Sequence, residues 1–175
     1  MKKIVLGLGG GAVVALGLAA AAVYGVNYYK LQHPVDDVLG ADERNAGIEV
    51  SLHYENWVIP SVLVFDLKEL PGDKSPLDLM RVLFQTAAVL QYQDFEEVHL
   101  SFRGDLRFKI TGGYFNTLGL EYRDQNPIYT LRTFPEKVMK PDGTMAFGTW
   151  TGGILGVTGR QMEDLKDFVV AWASP

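Results

Sequence analysis

The chain of 175 residues contains no cysteine. That absence removes disulfide frameworks, thiolate nucleophiles, iron–sulfur clusters and Cys-ligated zinc, together with any lipid attached through a thiol. Histidine is nearly as scarce, at three, too few for a His-rich metal site. On this inventory neither a metal nor a cofactor is expected. No serine sits in a Gly-x-Ser-x-Gly elbow, and the glycines from Gly152 and Gly153 through Gly156 and Gly159 match neither the phosphate-loop nor the dinucleotide spacing.

Charge is missing from one long stretch. Ile4 to Val26 spans 23 residues without a single ionisable acid or base other than one tyrosine. As a helix this run reaches ~34 Å, enough to cross a hydrocarbon core of ~30 Å. Tyr28, Tyr29 and Lys30 follow directly, as an aromatic belt with a cationic anchor would. Residues 1–30 therefore read as a membrane anchor or a signal peptide, and residues 4–26 as its contact with lipid. Ala19 to Ala22 supply small residues for processing, with Ala20 and Ala22 at recognition positions. An apolar run longer than the usual ~7–15 residues of a signal core favours the retained anchor. Lys2 and Lys3 hold the N-terminus in the cytoplasm, so either form leaves the domain outside: at a bacterial inner membrane if retained, periplasmic or secreted if cleaved. Gly7 and Gly11 form a small-xxx-small pair through which two anchors would associate as a homo-oligomer, although a Gly- and Ala-rich segment produces such pairs by chance.

Removing Lys2, Lys3 and Lys30 leaves 13 cations against 21 acids, a net −8. No basic stripe interrupts that field, so nucleic acid is excluded as a partner. A content of 47% hydrophobic and 11% aromatic residues excludes a disordered chain.

Residues 31–46 are polar, carry Pro34 and Gly40 and show no apolar period, which predicts a spacer before a single domain over 47–175. Ile48, Val50, Leu52 and Tyr54 alternate with polar residues, as a strand with one wet face does. The run from Ser61 to Leu67 is apolar on both faces and predicts a central strand. Ser75-Pro76-Leu77-Asp78 is a helix start with an N-cap hydroxyl, Pro at the first position and an acid at the third. Leu77, Met80, Leu83, Phe84, Ala87 and Leu90 continue it at helical spacing. A further strand over 97–103 completes a βαβ crossover.

Val98, Leu100 and Phe102, like Leu106, Phe108 and Ile110, occupy even positions. A three-residue loop over 103–105 is expected, because it pairs 102 with 106, 100 with 108 and 98 with 110 on one face. Tyr114, Leu118 and Tyr122 fit a short helix after Gly113, while Asn126-Pro127 suits either a helix start or a strand. Met145 to Thr149 reads as a brief strand, and Met162, Leu165, Val169 and Trp172 stripe a terminal helix over about 160–173. The expected fold class is α+β: a small mixed sheet with one βαβ crossover helix, a β-hairpin and a C-terminal helix, behind an N-terminal transmembrane or signal helix.

Three residues are candidate catalytic groups. His53 and Glu55 stand two apart on the outer face of one strand, so both side chains aim the same way, and a third group such as His99 would complete a site. Asp66 interrupts an apolar strand near its C-terminal end, where parallel sheets place ligand-binding groups. An Asp/His/Glu hydrolase is one reading of this trio; a solvated strand face, with Asp66 bonded to a loop or to Arg81, is the commoner one. Tyr114, Tyr122, Asn126, Tyr129 and Trp150 belong to an aromatic, Gly-punctuated segment over 113–150 that suits a groove for a protein partner or small ligand. A non-enzymatic envelope binding module is therefore the leading expectation.

Overall fold

A computed structural model describes residues 6–124 and 127–174. The apolar leader forms helix α1, Leu6–Asn27. It runs without a break through a π-helical turn, Tyr28–Gln32, into α2, His33–Gly40. Strands β1 (Glu49–Glu55), β2 (Ile59–Glu69), β3 (Glu97–Phe102) and β4 (Asp105–Thr111) form one mixed sheet in the order β1-β2-β3-β4. The β2–β3 pair is parallel and spanned by α3, Pro76–Leu90, whose start carries the full reciprocal cap between Ser75 and Asp78. Helices α4 (Gly112–Asp124), α5 (Pro127–Thr133) and α6 (Ile154–Ala173) complete the α+β fold.

Sequence parity explains which face of the sheet is covered. Leu52, Leu63, Phe65, Leu67, Val98, Leu100 and Ile110 point to one side and are buried. Trp172 packs on Phe65, Phe168 on Phe108, and Phe115 on Phe95, so α6 and α4 close over that side together with α3. Gln161, Leu165, Phe168, Val169 and Trp172 form the buried stripe of α6. Met162, expected in that stripe, is 40% exposed, and the helix begins at Ile154 rather than near Arg160.

The hairpin meets the parity condition by a different device. Val98 pairs with Ile110 and Leu100 with Phe108, as the alternation requires. The turn, however, has two residues, Arg103 and Gly104, both at positive φ (51° and 93°). A β-bulge after Leu100 then absorbs the odd residue and returns the apolar side chains to the core. No strand forms over 145–149; Met145 makes only an isolated bridge to Met139, which bridges Lys109.

The stretch expected to be a spacer is instead helical to Gly40, and Leu31 and Val35 are fully buried in the core. Two apolar residues one turn apart are too short a period to read in sequence, and Pro34, which removes a helical N–H, directly follows the π-turn, where the wider winding accommodates it.

Polar side chains from this helix finish the sheet. Asn27 Oδ1 accepts from Tyr54 N–H at 2.7 Å, and Gln32 Oε1 accepts from Leu52 N–H at 2.7 Å. Asn27 Nδ2 donates to the Trp57 carbonyl at 2.9 Å and Gln32 Nε2 to the Val50 carbonyl at 3.2 Å. In a regular α-helix residues five apart lie about 140° apart. The π-turn between them inserts one residue, which swings Asn27 and Gln32 onto the line that faces β1. Three outer backbone groups of edge strand β1, the Val50 carbonyl and the Leu52 and Tyr54 N–H, are thus satisfied by two amide side chains where a neighbouring strand would otherwise stand.

Candidate functional site

The face of the sheet opposite the helices carries Ser51, His53 and Glu55 from β1 and, in register, Val64 and Asp66 from β2, Glu97, His99 and Ser101 from β3, and Lys109 from β4. All three candidate catalytic residues lie on it. They do not meet. The His53 ring stacks on Trp57 at 4.6 Å between centroids and its Nδ1 lies 2.8 Å from the Tyr54 carbonyl. Asp66 is buried at the other end of the face, where its carboxylate accepts from Lys68 Nζ and from the Gly104 N–H, the latter at 3.0 Å. Asp66 therefore braces the tight β3–β4 turn. Arg81 is engaged elsewhere, with Asp78 at 2.8 Å and with Asn45.

At the centre of the face a row of charges has formed around His99. His99 Nε2 is 3.2 Å from Glu97, and its Nδ1 is 3.9 Å from Glu55. His99 is paired in register with Lys109, as parity predicts, but the Lys109 ammonium is directed to Glu97 at 3.1 Å. That hydrogen bond, with the one from His99, holds the Glu97 carboxyl below the usual range. Glu97 and Lys109 were not recognised as part of a site from sequence, since each reads as an ordinary wet-face residue. The signal was there in the shared parity of 97, 99 and 109. Among the described residues no group of three or more His, Asp or Glu is arranged to hold a metal ion.

The aromatic segment is distributed differently. Tyr114 packs against the core 5.9 Å from the Phe134 ring, and burial, with Glu121 and Glu136 nearby, pushes its hydroxyl well above the usual tyrosine range. Tyr122 is likewise half-buried against the core. Trp150 donates to Asp164 at 2.6 Å while the Arg160 guanidinium lies 4.6 Å over its ring, beside a cleft of about 330 Å³ at the start of α6. Tyr129 is 58% exposed, with Arg132 stacked on it. Asn126 lies outside the described residues.

Chemically, the face offers carboxylates and an ammonium around a buried imidazole that Glu97 orients, and among the described residues no Ser or Thr hydroxyl is hydrogen-bonded to that imidazole. No family model matches the chain, and neither a curated protein nor a solved structure matches it. Among the described residues one helix, α1 with its continuation, is long and apolar enough to cross a membrane or to serve as a signal sequence.

Proposed function

We propose that this protein is a non-enzymatic interaction module held at a bacterial inner membrane by residues 4–26, with its domain outside the cytoplasm and its partner surface on the helix-free face of the sheet. The observation that carries the reading is the row Glu55–His99–Glu97–Lys109, joined by the Lys109–Glu97 ion pair and by the contacts of His99 with both carboxylates, on the face of the sheet opposite the helices. Such a face presents complementary charge to a second protein, which steers encounter and fixes register. Lys2 and Lys3 ahead of the apolar helix, and a body of net −8 behind it, support the orientation. Cleavage after Ala22 would release the same domain into the periplasm or beyond.

A photo-crosslinking residue at Glu55, compared in cells with one at Tyr129, tests the surface. The expected outcome is one defined protein captured from position 55, with the adduct lost on Lys109→Glu. Capture from position 129 alone would place the surface on α5 and overturn the assignment.

A further inference from the structure

We infer that the β1–β2 turn is a second membrane contact, inserting Trp57 and Val58 into the lipid interface beside the helix. This inference rests on the reading of α1 as a membrane span. The side-chain clamps give the direction: Gln32 holds Val50 and Leu52, and Asn27, nearer the apolar end, holds Tyr54 and Trp57. Strand β1 therefore runs back along the helix toward its apolar end, and the turn at 56–58 arrives level with Tyr24. The tip also overhangs the rest of the sheet. Strand β3 begins opposite Val62, whereas β2 reaches back to Ile59, which pairs with Glu55 across a bulge next to the turn.

The residues at this overhang are the wrong ones for a turn in water. Trp57, Val58 and Ile59 are 41%, 61% and 37% exposed. Asn56 and Trp57 both hold positive φ (48° and 67°), a conformation that asparagine tolerates and a bulky aromatic residue adopts only at a cost. That geometry stacks the indole against Tyr24 at 6.2 Å and against His53. Tyr24 stacks in turn on Tyr28. Aromatic rings with one polar edge are the side chains that settle at the headgroup level, and here they stand at the C-terminal end of a helix whose Val14 and Leu18 are bare. Glu55, the acid nearest the tip, is turned toward His99. A lipid interface is the one occupant that fits both the helix and the turn, because it covers the two exposed surfaces at the same depth.

The absence of cysteine makes the test direct. In the full chain, reconstituted into phosphatidylcholine vesicles, Val58→Cys, Val14→Cys and Leu120→Cys each provide a single thiol for a nitroxide label. Collisions with oxygen, which concentrates in lipid, are compared with collisions with a water-soluble nickel chelate. The expected result is a ratio of oxygen to nickel accessibility at 58 several-fold above that at 120 and below that at 14. A label at 14 in lipid with one at 58 in water would overturn the hairpin contact and leave the anchor standing. Water at both 14 and 58 would remove the anchor and the inference together. A label at 58 shielded from both reagents would seat the tip against protein and overturn the lipid assignment.

Discussion

Asn27 stands at the end of an apolar run, yet it is almost fully buried and makes three hydrogen bonds, to the Val23 carbonyl, the Tyr54 N–H and the Trp57 carbonyl. Its two long-range bonds join parts of the chain about thirty residues apart. Asn27→Ala leaves a backbone donor and a backbone acceptor unmatched at the edge of the core, at a cost of about 1–3 kcal/mol; denaturation of the full chain in detergent should show the loss, and Asn27→Asp should restore only the bond to Tyr54. None of this was readable in sequence, because a polar residue after a membrane-like stretch marks the end of that stretch equally well. Asp66 illustrates the opposite case. A lone acid in an apolar strand announces a partner, and the structure supplies two: Lys68, two residues along, and the Gly104 N–H, in a turn nearly forty residues further. His53 and Glu55 share a face as their spacing dictates. What spacing could not give was the neighbour of each, Trp57 for one and His99 for the other.

Elements were legible where local chemistry closes on itself. Ser75 and Asp78 cap each other three residues apart, and the even-numbered apolar residues of β3 and β4 fix their shared face without reference to anything distant. The bulge was not legible, since a three-residue loop and a two-residue loop plus bulge satisfy the same parity. The helix through Leu31 and Val35 is not legible because its apolar stripe is short and Gln32, which faces β1 between them, is polar. Packing between α3 and α4 turns on Gly119, where an added Cβ would stand 2.3 Å from the Ala87 carbonyl oxygen. Gly119→Ala should therefore lower stability by about 1–3 kcal/mol through forced separation of the helices, despite the better helix propensity of alanine. Gly113→Ala, in the same helix with nothing within 4 Å, should be neutral or stabilising by up to about 1 kcal/mol. Thermal melts of the two variants check the contrast.

At the scale of the whole molecule, acids outnumber bases, and several carboxyls gain partners on folding. The Ser75 hydroxyl and N–H, followed by Arg81, lower the Asp78 carboxyl from 3.8 to about 2; Lys109 and His99 act in the same direction on Glu97. A depressed carboxyl binds fewer protons in the folded chain than in the unfolded one, so its contribution is complete above the unfolded value and is lost as pH falls. For Asp78 the loss spans 3.8 down to about 2. Asp78→Asn should reduce stability near neutrality by about 0.3–1 kcal/mol and flatten the acid limb, as urea titrations across that window would record. The amide seam between helix and sheet has a different consequence, for anyone trimming the chain to make it easier to handle. A cut after Ala22 keeps Asn27 and Gln32 and leaves the sheet finished. A cut after Gln32 discards more oil but bares the outer rung of β1, a template on which other chains can stack, so the shorter fragment is the one more prone to aggregate.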